Sequence, residues 1–231
     1  MPNWVYNGLT IKGNPDEVNK LVEQMNKPFQ QIHDSWNVET HQHEKKVSLY
    51  PNPIFAFHNI YSHRDHSITD EEYLKQPDHS LPIAEAMKHE TNDWYNFNNR
   101  EWGTKWDVAV SEEDKYPETY MEGPLPNGDN LVVYYNFNTA WSRPLPALQK
   151  LSAQYPTLLF TLSYEEETGW GGEMEFLRGE IIIDNQYETK CRECDEVDSE
   201  EECLVCESYA CTKCHYGHED ECEKVKETAN A

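Results

Sequence analysis

The chain has 231 residues and carries 43 Asp and Glu against 19 Lys and Arg, a formal net charge of −24. A field of that sign repels phosphate, so general electrostatic binding of nucleic acid or anionic lipid is excluded. Apolar residues reach only 37%, yet aromatics make up 12%; acidic disordered chains are poor in aromatics, so a packed core is expected. No run approaches the roughly 18–20 apolar residues of a membrane helix. Met1-Pro2-Asn3-Trp4 also lacks the basic-then-apolar order of a secretory leader. All seven cysteines follow residue 190, and a confined cluster of close pairs points to metal rather than to disulfides. The expected compartment is a reducing cytoplasm.

Val5, Asn7, Leu9 and Ile11 alternate along a first strand. Gly13-Asn14-Pro15 turns the chain, with Asn14 as N-cap, Pro15 at the first helical position and Glu17 placed to complete a capping box. Val18, Leu21, Val22 and Met25 form the apolar stripe of the helix that follows. Residues 28–104 are interrupted by Pro51 and Pro53 and contain eight of the ten histidines; they read as a mostly helical insertion, with a helix from about Leu81 to Asn98. Strands are expected at Lys105–Val110 and Leu131–Phe137, joined through Pro124, Pro126 and Asn127-Gly128. A helix at Pro144–Gln154 places Leu145, Leu148 and Leu151 on one stripe, followed by a strand at Thr157–Tyr164. A Gly-rich turn (Gly169-Trp170-Gly171-Gly172) and one added strand, Glu175–Asp184, close the domain. Strand, helix, strand, strand, helix, strand is the split βαβ order of a ferredoxin-like α+β sandwich. The domain is placed at 1–187, and a small module at 188–231.

Trp4, Tyr6-Asn7, Leu9-Thr10-Ile11, Trp102-Gly103-Thr104-Lys105-Trp106-Asp107, Phe137-Asn138-Thr139-Ala140-Trp141-Ser142 and Tyr164-Glu165-Glu166 together resemble the YubB-like family of plasmid and phage proteins. The resemblance spans about residues 1–185. It implies a ferredoxin-like domain from a mobile element and carries over no activity. Val5 and Arg143 depart from the residues usual in that family.

The tail pairs Cys191/Cys194, Cys203/Cys206 and Cys211/Cys214 at two-residue separations, then continues to His218 and Cys222. Two ligands spaced this way bind one tetrahedral ion from a single tight turn, and eight ligands make two closed, structural zinc sites. A segment of about 40 residues is too short for an ordinary core, so metal must supply much of its folding energy. The spacing resembles a B-box module with cross-braced ligands. That resemblance implies one ion on Cys191, Cys194, Cys211 and Cys214, and the other on Cys203, Cys206, His218 and Cys222. His215 competes with His218 as the nitrogen ligand, and a sequential arrangement of the two sites is the alternative.

Other chemistry is weaker. His41, His43, His63 and His66 have no metalloprotease spacing, and Glu85 with His89 forms an i, i+4 pair of the kind found on helix surfaces. Gly169–Gly172 is followed by no Lys-Ser/Thr and is ringed by Glu165, Glu166, Glu167 and Glu173, so a phosphate cradle is not expected. Trp102, Trp106 and Trp141 are expected to pack in the core or against the insertion. The sequence thus points to a non-enzymatic accessory protein, assigned to a mobile element by the resemblance. It would bind a protein partner through the zinc module and/or the insertion, and inhibition of a basic nucleic-acid-binding host protein is the sharper form of that reading. The alternative is an enzyme or small-ligand binder built on the sheet face and the His-rich insertion.

Overall fold

A computed structural model of the chain describes residues 3–39, 41–62, 94–112 and 118–191, and beyond these positions 193–194, 199, 201–203, 209–210, 214–215 and 218. Strand β1 (Trp4–Gly13) runs into helix α1 (Pro15–Met25). The Asn14 side chain accepts the Asp16 N–H at 2.9 Å, and Pro15 fills the first turn. Glu17, instead of returning to the cap, accepts the Thr157 hydroxyl at 2.5 Å. Strands β2 (Phe29–Asn37) and β3 (Gln42–Tyr50) follow, then a single 3-10 turn at Phe57–Asn59 and helix α2 (Trp94–Glu101). The chain continues through β4 (Thr119–Asn127), β5 (Asn130–Ala140), α3 (Leu145–Gln154), β6 (Leu159–Glu166), β7 (Gly171–Leu177) and β8 (Glu180–Tyr187). Two-residue strands β9 (Glu201–Glu202) and β10 (Tyr209–Ala210) pair in the tail.

Six strands form one antiparallel sheet in the order β4-β5-β1-β6-β7-β8. The order β4-β5-β1-β6, with α1 and α3 as crossovers, is the ferredoxin-like arrangement, and the β7–β8 hairpin extends it beyond β6. Side chains alternate along the strands: Val5, Leu9 and Ile11 of β1 and Phe160, Leu162 and Tyr164 of β6 are buried. They meet Val18, Leu21 and Met25 of α1 and Ala147, Leu148 and Leu151 of α3. The short run Ile54–Phe57 reaches the same core, where Phe55 stacks on Phe137 (5.3 Å) and Phe57 packs on Trp102 (5.9 Å).

Three expectations are corrected. The insertion is not mostly helical where it is described, because residues 29–50 form the β2–β3 hairpin; the expected helix from Leu81 is described only as Trp94–Glu101, and 63–93 lie outside the described residues. Lys105–Val110 is not a strand. Its polar backbone groups are taken by side chains: Asn98 Nδ2 donates to the Lys105 carbonyl (2.8 Å), the Thr119 hydroxyl to the Val108 carbonyl (2.7 Å), and Asp107 accepts from the Val108 and Ala109 N–H groups. The ferredoxin-like second strand is β4 instead. Glu175–Asp184 is the central part of a hairpin rather than one strand, turning at Arg178 (φ 58°) and Gly179 (φ 82°), the two positive φ values of a type I′ turn.

The segment Trp102–Asp107 ties these parts together. Trp102 is buried and donates its indole N–H to the Tyr61 carbonyl at 2.8 Å. Gly103 has φ 82°, and a Cβ there would stand 2.4 Å from Pro146 Cδ at the start of α3. The Thr104 hydroxyl donates to the Ala140 carbonyl (3.0 Å) and accepts the Ala140 N–H (3.1 Å), fixing the end of β5. Lys105 Nζ lies 4.5 and 4.7 Å from the rings of Trp106 and Trp141, both partly exposed, so these two tryptophans hold a cation outside the core, and Trp141 packs edge-on against Tyr95 of the insertion. Asp107 accepts four backbone N–H groups: Phe57 (2.9 Å), His58 (2.8 Å), Val108 (2.7 Å) and Ala109 (3.1 Å). Burial pushes its carboxyl above the usual Asp value, against the opposing pull of these donors.

Replacing Asp107 with Ala leaves these donors unmet and is expected to cost about 2–4 kcal/mol in urea unfolding. Because the folded protein holds the Asp107 proton more tightly than the unfolded chain, this group's contribution falls as pH rises through the window just above about 3.9. Asp107→Asn removes that slope, which urea midpoints measured from acid to neutral pH will show.

Candidate metal centre and sheet-face site

Beyond β8, Lys190 is fastened back to the sheet. Its Nζ lies 2.9 Å from Glu165 Oε2, and Gly169 (φ 99°) lies so close that a Cβ would be 2.9 Å from the Lys190 carbonyl oxygen. Thr189 donates its hydroxyl to the Ser199 carbonyl, drawing the tail against this edge. The next residue, Cys191, is buried, and its Sγ lies within 4.8 Å of those of Cys194 and Cys214, which likewise lie within 4.8 Å of each other. A tetrahedral ion with Zn–S arms of 2.3 Å needs sulfurs about 3.8 Å apart, so three thiolates grouped this closely could hold a metal ion. Cys191 and Ala210, at the end of β10, form one small buried cluster with Cys214 against it.

The other ligand candidates divide by location. Cys203 is fully buried just after β9. His218 is buried; its N–H closes a helical turn on the Cys214 carbonyl (3.1 Å), and its Nδ1 lies 2.8 Å from Glu193 Oε1. Glu193 sits inside the Cys191–Cys194 turn, so this contact joins the first cysteine pair to the C-terminal histidine. His215 is partly buried in the same helical turn. Cys206, Cys211 and Cys222 lie outside the described residues. Among the described residues, Cys191, Cys194 and Cys214 form the one group of three metal-ligating side chains.

A second site lies on the sheet face opposite the helices. Its rows follow from the strand register. Asn138, Tyr6, Glu165, Gly171 and Tyr187 stand side by side across β5, β1, β6, β7 and β8. The next row holds Tyr120, Asn136, Gly8, Ser163 and Glu173. Small residues at Gly8 and Ser163, between larger neighbours, leave a concavity of about 530 Å³, with Glu118 on the β4 side and Glu165 on the β6 side. The Tyr120 hydroxyl donates to Glu118, and the Tyr187 hydroxyl donates to Glu165 Oε2 at 3.1 Å. Tyr187 reaches Glu165 by lying across Gly171, where a Cβ would meet its hydroxyl at 2.6 Å. Burial, then the Glu165 charge, pushes the Tyr187 phenol up to about 12, so it stays a hydrogen-bond donor at all physiological pH.

The remaining sequence candidates do not converge on chemistry. His41 is exposed, the side chain of His43 is not described, and His63, His66, Glu85 and His89 lie outside the described residues. Residues 167–170 form a turn, and Gly171 and Gly172 open β7. Trp170 is packed edge-on against Tyr164 at 6.1 Å, so its ring supports the fold. Among the described residues no helix is long and apolar enough to cross a membrane.

Residues 105–207 match a family model described as the ferredoxin-like domain in Api92-like protein. No curated protein matches the chain. A crystal structure of a protein api92 from Yersinia pseudotuberculosis aligns with 83% of this chain and 99% of its own, at 11% identity and a TM-score of 0.42.

If metal orders the tail, chelation must loosen it without unfolding the sheet. EDTA treatment is expected to open cleavage sites after residue 190 in limited proteolysis while the far-ultraviolet signal of the domain persists. Lowering the pH is expected to have the same effect, because thiolates must be deprotonated to bind.

Proposed function

We propose that the chain is a non-enzymatic accessory protein whose tail is folded by two zinc ions and serves as a protein-binding element. The observation that carries this reading is the convergence of the Cys191, Cys194 and Cys214 sulfurs. Cys211 completes this first site: its neighbour Ala210 is fully buried in the cluster formed with Cys191 and Cys214. Cys203, Cys206, His218 and Cys222 hold the second ion. The Glu193 contact at Nδ1 leaves Nε2 of His218 as the nitrogen for metal, and a carboxylate behind a ligating histidine fixes its orientation and raises its basicity. Four protein ligands at each ion leave no open position, so the metals shape a surface and perform no reaction.

The partner is a protein with a basic surface. With the charge at −24, association with such a surface is steered over long range and weakens with salt. The insertion adds apolar area, since Val47 and Leu49 of β3 are exposed. The resemblance of the first 185 residues to plasmid and phage proteins supports a partner in a bacterial host cytoplasm, where a nucleic-acid-binding protein offers the complementary charge.

Metal analysis of the purified full-length protein is expected to give two zinc ions per chain. Cys191→Ser with Cys194→Ser is expected to remove one. Glu193→Gln is expected to keep both but weaken zinc affinity about 10- to 100-fold in competition with a chromogenic chelator. A tagged pull-down from nuclease-treated bacterial lysate, wild type against the double Ser variant, tests the binding role. A stoichiometric partner captured by the wild type alone supports it, and equal capture by both removes the tail as the binding element.

A further inference from the structure

The geometry points to the sheet-face concavity as a receptor for an arginine side chain presented by a basic segment of a protein partner. This deepens the protein-binding reading and gives the partner's chemistry. The walls combine the rings of Tyr6 and Tyr120 with the carboxylates of Glu118 and Glu165, and the amides of Asn136 and Asn138 supply acceptor oxygens. Aromatic faces carry negative potential and attract cations. A guanidinium is planar, weakly hydrated and able to stack while its fork of N–H groups reaches a carboxylate; an ammonium is a strongly hydrated point charge that gains less here.

Carboxylates outnumber cations around the concavity. Glu173 stands in the Gly8 row, and the following row adds Glu122 and Glu175 on the same face. Lys190 on this face is already held by Glu165, and Lys12 stands two rows from Gly8 along β1. Aromatics on the central strands of such a sheet are where RNA-recognition domains stack bases, but carboxylates at these positions repel the phosphates that accompany a base. Gly8 keeps the floor open. A Cβ there would make only ordinary contacts, 3.6 Å from Asn136 Oδ1 and 3.9 Å from the Ser163 carbonyl, so the strand tolerates a side chain that would fill the space.

The test uses full-length, zinc-loaded protein and fluorescein-labelled hexa-arginine and hexa-lysine peptides, with binding read by anisotropy at low and near-physiological salt. Hexa-arginine is expected to bind about tenfold tighter than hexa-lysine. Gly8→Tyr, which fills the concavity, and Tyr120→Ala, which removes one wall, are each expected to weaken hexa-arginine about tenfold with thermal midpoints within a few degrees of wild type. Equal affinity for the two peptides, unmoved by either substitution, would overturn the proposal, because the net charge alone then accounts for binding. Tighter binding of a single-stranded oligonucleotide than of hexa-arginine would overturn it as well. The Cys191→Ser, Cys194→Ser protein separates this proposal from the tail reading. Undiminished peptide binding by that protein supports a site on the sheet, whatever the tail captures, and loss of peptide binding overturns it.

Discussion

The Asp107 carboxylate is the point on which the domain's two halves depend. It takes the N–H groups of Phe57 and His58 from one part of the chain and of Val108 and Ala109 from its own. A long insertion separates α1 from β4, and this knot joins hydrogen bonds from Gln24, Asn59 and Gln154 in holding residues 54–60 over the core. Around it, Thr104 fixes the end of β5, Gly103 admits Pro146, and Trp102 fills the space under Phe57 and Phe97. Six consecutive residues thus join the sheet, the start of α3 and the insertion. The arrangement replaces regular hydrogen bonding with side-chain acceptors and donors, each matched to a particular backbone group.

That substitution explains which parts of the fold were legible in the sequence. Alternation in β1 and the Asn14-Pro15 start of α1 are local signals, and the structure agrees with them closely. Lys105–Val110 looks like a strand because Trp106, Val108 and Val110 alternate with other residues, yet what satisfies its backbone is Asp107, Asn98 and Thr119, which no periodicity reveals. The β2–β3 hairpin was hidden for a different reason: most of its residues are polar, and near the end of β3 Val47 and Leu49 are exposed while Ser48 is buried, so no apolar core-facing row marks it. In the tail, two-residue cysteine spacing encodes the bite of a turn, and the Cys191, Cys194 and Cys214 sulfurs do come together. The sheet-face concavity was not legible at all, because Tyr6, Tyr120 and Tyr187 come from three distant strands and meet only through register.

The acidic composition acquires a location in the structure. A part of it lies on the open sheet face, where Glu122, Glu165, Glu173 and Glu175 alternate with core residues along the strands and Glu118 stands just before β4. Like charges on adjacent strands are unfavourable, and only part of this repulsion is relieved internally, by Lys190 on Glu165 and by tyrosine hydroxyls on Glu118 and Glu165. Stability of the sheet therefore comes from its helix-covered side, and the open side carries an electrostatic load that a cationic partner would relieve.

The anchoring of Lys190 has a consequence for any metal ion that the neighbouring thiols would take up. One peptide bond separates this residue, clamped by Glu165 and packed on Gly169, from the first thiol. Most small metal-ordered modules begin from a flexible linker, and all of their ligands must be gathered from a disordered chain. Here the sheet delivers Cys191 already immobilised, so part of the chain entropy of gathering these thiols is lost when the domain folds and would not fall on ion binding. The folded domain acts as a template, and order in the tail propagates outward from it.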